Sequence, residues 1–357
     1  MRIAIIITAL AKQGSIYVFK ELIHQLVKNE NCLVDLFYFD DKVEIEVDCS
    51  VTRISLFGAL PDFNYDIVHS TGLRPDTYIF LHKKKFPLKT RFISTIHSYI
   101  RKDLQNEYNW IVSFLASNFW YRILRAQDLV AVLTADARDY YKKLLKPEIT
   151  VVNNGKTIIQ DNNVPDSDAE LLNPLAARYK IIGTHAKITR IKGLETVINA
   201  LIQLPEYAFV VVGKGRDMDE LIELAEKNNV KDRCLFLGFR SNILPYFQYY
   251  HVYTMPSYSE GLPMALIESV ASRVPCLCSD INTFKELFDE SQILTFKVGD
   301  SSDYAMQLVK LQTSKLREQL IRNAESKYLK AYTGVVMGGR YLSEYIRIIE
   351  KKQVSAL

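Results

Sequence analysis

The sequence predicts an α/β protein built from two doubly wound domains that face each other across a cleft. At 357 residues, 48% of them hydrophobic, the chain is too long for one core and apolar enough for two. Short apolar runs alternate with runs of helical period in both halves, as expected for parallel strands covered by helices on both faces. A polar, turn-forming stretch between residues 156 and 175 interrupts this alternation and marks the domain boundary. In Rossmann-like domains of this kind, ligands bind at the carboxyl ends of the strands.

The first domain is predicted over residues 1–160. Its first apolar run is shorter than the apolar segment of a secretory signal peptide and reads as a buried strand. Strands are expected at residues 3–8, 33–39, 66–69, 91–97, 128–134 and 149–155.

The second domain is predicted over residues 176–335. Strands are expected at residues 180–185, 208–212, 234–237, 251–255, 276–279 and 293–296. Helices are expected at residues 194–204, 217–227, 243–250 and 303–312, with a further helix from Asn282. Residues 336–357 are predicted to form a final helix, which could cross back to the first domain.

Composition restricts the class of protein. A net charge of +4 is too mild to indicate a nucleic acid as partner. The five cysteines match neither a disulfide framework nor a metal-binding spacing, which favours a reducing compartment. No apolar window reaches the length of a membrane-spanning helix. We therefore expect a cytoplasmic protein, either free or peripheral on the inner face of the cytoplasmic membrane.

The clearest functional signal is the strand, loop and helix at residues 251–271. Gly261 lets the backbone approach a ligand, and Pro263 suits the first helical turn. Exposed N–H groups at the start of the helix favour an anion. One turn further in, Glu268 needs hydrogen bonds, which the vicinal diol of a ribose could donate, and Glu260 lies on the loop above. An ordinary strand-loop-helix with a surface Glu and a capping Glu is the alternative.

The same stretch contains Ser-x-x-Glu-Gly-x-Pro, followed by a second Glu eight positions after the first. It resembles the signature of the retaining glycosyltransferases of family 4, which have the GT-B fold. The resemblance implies a nucleoside diphosphate sugar bound mainly by the second domain. It implies that Glu268 holds the ribose and that Glu260 is a catalytic residue beside the donor sugar. The residues of the helix tip that would contact the donor are Gly261, Leu262 and Pro263.

A cationic loop follows the strand predicted at residues 180–185. Lys187 and Lys192 lie on it and could both reach a diphosphate, although a solvated basic loop is the alternative. The segment resembles the family's Arg-(four residues)-Lys-Gly motif, in which both cations hold the donor diphosphate. Lys187 takes the place of the arginine, so the charge is kept but the two-pronged geometry is lost. Lys192 is also assigned a catalytic role, because it would stabilise the negative charge of the leaving diphosphate.

Two further segments of the second domain occur in the family's order. Gly213 opens a Gly-Lys-Gly sequence, which indicates either a tight turn or a close backbone approach to phosphate. Arg240 ends the sequence Leu-Phe-Leu-Gly-Phe-Arg, which resembles the family's segment near the nucleotide base. Arg240 is therefore expected to stack on or border the base, with an exposed rim arginine as the alternative.

The first domain contributes candidates for the acceptor side. His97 ends a strand and resembles the family's Thr-x-His near the donor sugar and acceptor, so we predict a catalytic role. A satisfied core or rim histidine is the alternative reading of this position. His69 ends its own strand and is assigned to the acceptor side. Gly14 and Ser15 match the family's first glycine-rich loop in part, since a Gly-Gly pair is more usual, and are assigned to the same side.

Residues 83–125 contain nine Lys and Arg, two acids and many aromatic residues. A basic helix rich in Trp and Phe can lie on an anionic membrane surface. A core helix with cationic ends explains the same composition, and the sequence leaves both interpretations open.

Together these features predict a retaining hexosyltransferase. It would move a hexose or N-acetylhexosamine from a nucleoside diphosphate sugar, with UDP the commonest carrier in the family. The acceptor would be a hydroxyl of a glycan or lipid-linked saccharide in the synthesis of a surface polysaccharide such as lipopolysaccharide or capsule. No acidic cluster has a metal-binding spacing, so neither a metal nor another cofactor is expected to be required. A nucleotide-sugar epimerase and a non-catalytic sugar- or membrane-binding protein of the same fold are the rival hypotheses.

Overall fold

The structure is a computed structural model that describes residues 1–159, 161 and 163–355. The chain divides into two compact units. The first unit consists of Met1–Thr157 and Ala331–Leu357, and the second of Ile158–Lys330. The predicted end of the first domain falls on Gln160, which lies outside the described residues, as does Asn162 in the predicted boundary segment.

The first unit is built on a parallel sheet. Its strands are β1 (Arg2–Ile7), β2 (Leu33–Tyr38), β3 (Ser50–Arg53), β4 (Ile67–Ser70), β5 (Arg91–Ile96), β6 (Leu129–Val132) and β7 (Glu148–Val151). Over the described residues the strand order is β3-β2-β1-β4-β5-β6-β7. The helices that connect them are α1 (Gly14–Val27), α2 (Leu73–His82), α3 (Ile100–Glu107), α4 (Trp110–Leu124) and α5 (Ala135–Lys142).

The second unit repeats this design. Its strands are β8 (Lys180–His185), β9 (Tyr207–Val212), β10 (Cys234–Gly238), β11 (Tyr250–Met255), β12 (Cys276–Ser279) and β13 (Leu294–Phe296). They pair in parallel in the order β10-β9-β8-β11-β12-β13. The helices are α6 (Asp166–Arg178), α7 (Leu194–Ala200), α8 (Met218–Lys227), α9 (Met264–Ala271), α10 (Asn282–Leu287), α11 (Ser301–Lys310) and α12 (Ser314–Ala331).

The central strands are apolar on both faces because helices cover both sides of each sheet. In β1, Ile3, Ala4, Ile5 and Ile6 are completely buried. Such continuous runs are typical of parallel strands and made them visible in the sequence. The predicted α/β class and the two Rossmann-like sheets are confirmed.

The elements that the sequence did not predict have weaker local signals. β3 is an edge strand whose residues are mostly exposed, so it has no apolar run. Residues 243–250 were expected to be α-helical, but Leu244–Tyr249 form a 3₁₀ helix with a proline at its start. The long helix α12 was not predicted.

The predicted boundary segment contains a helix that the sequence did not reveal. Its polar residues and Pro174 were interpreted as turn formers, but residues 166–168 and Pro174 belong to α6, with Pro174 inside the helix. Asp168 on α6 is buried and accepts two hydrogen bonds of 2.6 Å from the guanidinium of Arg240, and a third from the Tyr246 hydroxyl. These contacts with residues distant in the chain outweigh the local preference for a turn.

The final helix, α13 (Gly334–Ser355), belongs to the first unit and packs against α1. Its buried tyrosines complete a polar network. The His69 ring nitrogens lie 2.6 Å from the Tyr345 hydroxyl and 2.7 Å from Thr95 Oγ1, which lies 2.9 Å from the Tyr341 hydroxyl. Buried polar groups are costly unless paired, so this network ties α13 to β4 and β5 in one arrangement.

Burial also shifts the titration of several groups. Desolvation lowers the pKa of His69 from 6.5 to about 3, and those of His97 and His251 to about 4. Asp76 shifts in the opposite direction: complete burial raises its pKa from 3.8 to about 6, although neighbouring side chains donate hydrogen bonds to it. In all four groups burial therefore shifts the pKa in the direction that favours the neutral form.

We expect the free energy of unfolding to decrease as the pH is lowered from about 6.5 towards 4. In this range the unfolded chain protonates all three histidines, whereas the folded chain keeps them neutral, so it binds fewer protons. Asp76 offsets part of the effect, because it binds its proton more readily in the folded state. Urea unfolding at a series of pH values measures the slope, about 1.4 kcal/mol per pH unit for each net proton. His251→Asn should flatten the slope, and a stability that stays constant from pH 6.5 to 4.5 would contradict the expectation.

Candidate active site

The second unit has a topological switch point between β8 and β11. From β8 the strand order runs through β9 and β10 in one direction, and through β11, β12 and β13 in the other. A crevice therefore opens at the carboxyl ends of these two adjacent strands. Loop 186–193 follows β8 and loop 256–263 follows β11, so the two loops that carry most of the predicted donor residues are neighbours.

The two loops are in direct contact. The Tyr258 N–H donates a 2.8 Å hydrogen bond to the Ile191 carbonyl. Gly193 has a φ of +63°, and a Cβ at this position would lie 2.1 Å from the Pro256 carbonyl oxygen. Only glycine satisfies both the left-handed backbone and this close approach.

Lys192 and Glu260 form an ion pair that joins the loops. Lys192 Nζ lies 2.7 Å from Glu260 Oε1, with the side chains 23% and 10% exposed. Ser257 Oγ donates to the same oxygen at 2.7 Å, and Thr283 Oγ1 donates to the Glu260 backbone carbonyl at 3.0 Å. Both the carboxylate and its backbone are thus held in place, next to an ammonium group that can bind an anion.

Glu268 pairs with a residue that the sequence analysis did not assign. Its Oε2 lies 3.0 Å from Nε2 of His185, the last residue of β8, and both side chains are nearly buried. A carboxylate in an apolar environment is costly without hydrogen bonds, and the protein itself supplies one here. The sequence contained a signal for His185, because this histidine ends a predicted strand just as His69 and His97 do. The interpretation of this segment rested only on the charges of its lysines and arginine.

The tip of α9 carries partial positive charge. The helix begins at Met264, so Pro263 precedes it, one position earlier than the first-turn placement predicted. Leu262 is buried and Gly261 is partly exposed. The N–H groups of a first helical turn have no partner within the helix and favour an anion. This partial charge lies only a few residues along the chain from Glu260.

The remaining donor candidates lie in different environments. Lys187 is exposed and forms no ion pair among the described residues. The Gly213 N–H donates to the Gly238 carbonyl at 2.8 Å, which agrees with a tight turn, and its approach to phosphate stays a prediction. The Arg240 guanidinium is held by Asp168, so it is not a free rim arginine, and its predicted place beside the nucleotide base stays a prediction.

The two candidate histidines of the first unit, His69 and His97, differ sharply. His97 packs against Phe19, with ring centroids 5.9 Å apart, and its buried Nε2 has no hydrogen-bond partner among the described residues. Its low pKa keeps the ring neutral at neutral pH. His69 is fully buried, and Tyr345 and Thr95 occupy its two nitrogens. The acceptor-side assignment of His69 is therefore wrong, because a substrate cannot reach the ring.

Gly14 and Ser15 are the first residues of α1. Gly14 is exposed, and a Cβ at this position would meet no atom within 4 Å. The glycine is therefore not required by packing, and the acceptor-side role of both residues stays a prediction.

The helix α4 presents apolar side chains outward, which contradicts the interpretation as a core helix. Trp110 is 72% exposed and Leu115 62%, whereas the buried face includes Ser113 and Ser117. We call the exposed apolar residues of this helix the α4 surface: Trp110, Ile111, Val112, Phe114, Leu115 and Phe119. Exposed basic residues on α4, just after it and on the segment after α2 are Arg122, Arg125, Lys84 and Lys85.

No helix among the described residues is both long enough and apolar enough to cross a membrane. In the same part of the chain, no group of three or more His, Cys, Asp and Glu side chains could hold a metal ion.

Two sequence profiles match the chain. The profile of the "Glycosyl transferases group 1" matches residues 173–327, and that of "Glycosyltransferase Family 4" matches residues 51–156. Together they cover most of both units, and the first includes both loops of the site. The chain belongs to the group 1 glycosyltransferases of family 4.

Similar proteins agree with this assignment. The O-antigen biosynthesis glycosyltransferase WclY of Escherichia coli is 26% identical over 321 residues, 85% of this glycosyltransferase and 86% of WclY. A UDP-Gal:α-D-GlcNAc-diphosphoundecaprenol α-1,3-galactosyltransferase of Escherichia coli is 28% identical over 154 residues, 42% of this chain and 39% of that protein. The structure of HepE from Anabaena in complex with UDP and glucose has a TM-score of 0.76 and 15% identity, covering 96% of this chain and 99% of HepE. This likeness shows the GT-B fold.

We expect Gly193→Ala to destabilise the glycosyltransferase for two reasons. The left-handed backbone at this position is unfavourable for alanine, and the Cβ would collide with the Pro256 carbonyl oxygen. The loss should exceed about 1 kcal/mol and lower the midpoint of thermal unfolding. The matched control is Gly339→Ala within α13, where a Cβ meets no atom within 4 Å. That change should be neutral or stabilising. Equal midpoints for Gly193→Ala and the wild type would show that the contact between the loops tolerates a side chain.

Proposed function

We propose that the glycosyltransferase moves a hexose or N-acetylhexosamine from a UDP-sugar to a hydroxyl of a glycan or lipid-linked saccharide, with retention at the anomeric carbon. The product would belong to a surface polysaccharide. The observation that carries the proposal is the ion pair of Lys192 and Glu260 at the switch point, with Glu268 one helical turn further in.

The electrostatics of the site support a diphosphate leaving group. When the bond between the anomeric carbon and the diphosphate oxygen breaks, its electron pair stays on the diphosphate. Lys192, exposed Lys187 and the tip of α9 supply positive charge where this negative charge develops. Because these groups can neutralise it, the proposed reaction needs no divalent cation.

Different observations support the proposed donor, the proposed stereochemistry and the proposed acceptor. UDP as the carrier of the donor sugar is supported by the similar structure of HepE, which is a complex with UDP. A lipid-linked saccharide as acceptor is supported by the similar galactosyltransferase, whose name includes diphosphoundecaprenol. Retention is supported by the resemblance of residues 257–263 to the signature of retaining enzymes. The role in surface polysaccharides is supported by the similarity to WclY, a glycosyltransferase of O-antigen biosynthesis. His97 stays the proposed catalytic histidine, and its neutral ring can exchange hydrogen bonds with a hydroxyl.

Incubation with a panel of UDP-sugars and undecaprenyl diphosphate saccharides should release UDP only when a suitable acceptor is present.

Lys192→Ala should lower kcat by roughly 10²-fold, because it removes charge stabilisation at the leaving group. The matched control is Lys231→Ala, which removes an exposed ion pair with Glu226 and should leave kcat unchanged. EDTA should have no effect on the rate.

Three outcomes would overturn this function or its mechanism. Conversion of the donor sugar without acceptor would identify an epimerase. A Lys192→Ala enzyme with wild-type kcat would remove the lysine from the chemistry. Activity that disappears with EDTA and returns with a divalent cation would refute the metal-independent step.

We also propose that the α4 surface lies on an anionic membrane, where a lipid-linked acceptor resides, in the cytoplasm at the inner face. Exposed Trp and Phe side chains can insert at the level of the headgroups. The neighbouring Arg122, Arg125, Lys84 and Lys85 can attract anionic lipids. An apolar surface of this extent is uncommon on a protein that stays fully solvated.

Vesicles of phosphatidylglycerol should sediment the protein, and vesicles of phosphatidylcholine should sediment much less of it. The double variant Trp110→Ser/Leu115→Ser should reduce binding by roughly ten-fold or more, since each side chain loses its apolar burial. Ile202→Ser, which changes a residue 58% exposed in the second unit, is the control and should bind like the wild type. Equal sedimentation of the double variant and the wild type would refute the proposed contact.

A further inference from the structure

We propose that His185 is a positioning residue for the donor: it orients the Glu268 carboxylate so that the carboxylate accepts the hydrogen bonds of the ribose diol. The inference rests on the proposed function, since it requires a nucleoside diphosphate at this site. It goes beyond the signature at residues 257–263, which does not include His185.

The contact joins the two strands of the switch point. His185 ends β8, and Glu268 lies on α9, which follows β11. The 3.0 Å separation of His185 Nε2 and Glu268 Oε2 is a normal hydrogen-bond length. Both side chains are nearly excluded from water, at 13% and 10% exposed, so the bond is protected from competition.

The imidazole is itself held in place by aromatic rings. The ring centroids of Phe247 and Tyr253 lie 5.6 Å and 5.1 Å from that of His185, and Phe247 meets it edge-on. The Tyr253 hydroxyl lies 3.3 Å from the His185 backbone nitrogen and 3.4 Å from its carbonyl oxygen. A fixed ring presents its nitrogen to Glu268 in one direction and leaves the carboxylate little freedom to turn.

The chemistry of the pair suits a diol. A carboxylate has two oxygens with about four acceptor positions, so the two adjacent hydroxyls of a diol can donate to it. The hydrogen bond from the fixed imidazole sets its orientation before they arrive. Pre-organisation of this kind lowers the cost of ordering on binding, so it should appear in the affinity for the nucleotide and not in kcat.

Two variants of His185 distinguish its effect on the orientation of Glu268 from its packing against the aromatic rings. His185→Phe keeps an aromatic ring against Phe247 and Tyr253 but removes the N–H. His185→Gln keeps an N–H donor of similar reach and should rescue most of the loss. The matched control, His24→Phe, removes another His–carboxylate pair, in which His24 Nδ1 lies 2.7 Å from Asp48 Oδ2 on the surface of the first unit.

Isothermal titration with UDP and with 2′,3′-dideoxy-UDP tests the proposal. His185→Phe should raise the Kd for UDP by about ten-fold, and His185→Gln by less than about three-fold. For the dideoxy nucleotide, which lacks the diol, His185→Phe and the wild type should agree within about two-fold. The KM for the donor sugar should rise in parallel, with kcat nearly unchanged.

The possible results separate this inference from the proposed function. An unchanged Kd of His185→Phe for UDP, or an equal loss for both nucleotides, would overturn the orienting role of His185 alone. If Glu268→Ala binds UDP as tightly as the wild type, the ribose contact of the proposed function is wrong. If the wild type binds no UDP, the proposed donor is wrong, and the inference fails with it.

Discussion

The pairing of β8 with β11 is the constraint on which the candidate site depends. These strands are adjacent in the second sheet although two other strands separate them in the chain. Their parallel ladder places both carboxyl ends at one edge, so the loops that follow must meet. Lys192 and His185 come from the β8 side, and Glu260 and Glu268 from the β11 side. A slip of one residue between the strands would turn the side chains at their ends to opposite faces.

Each acid of the site has a basic partner on the other loop or strand. Such pairs offset part of the free energy that a partly buried carboxylate loses on leaving water. The pairs also link the binding of a diphosphate to the contacts of the acidic side chains. A diphosphate that takes hydrogen bonds from Lys192 competes with Glu260 for the same ammonium, while Ser257 continues to hold the carboxylate. Donor binding can therefore change the charge environment of Glu260 without moving it far.

The sequence predicted most of what depends on local pattern and little of what depends on distant partners. Apolar runs revealed the central strands, and the motif residues Lys192, Glu260 and Glu268 do lie around the switch point. The helix α6 was missed because Asp168 owes its burial to Arg240, more than seventy positions away in the chain. The same limitation explains His69: nothing near it in the sequence indicates that Tyr345 would occupy its ring nitrogen. His185 was overlooked because charge alone guided the interpretation of its loop.

The return of α13 to the first unit has a consequence for the order of synthesis. The second unit is one continuous segment, whereas the first needs both Met1–Thr157 and the segment from Ala331 onwards. A ribosome delivers that last segment only after the whole second unit has been made. Until then the nascent chain lacks the tyrosines that pair with His69 and Thr95, so the domain translated first is the one completed last.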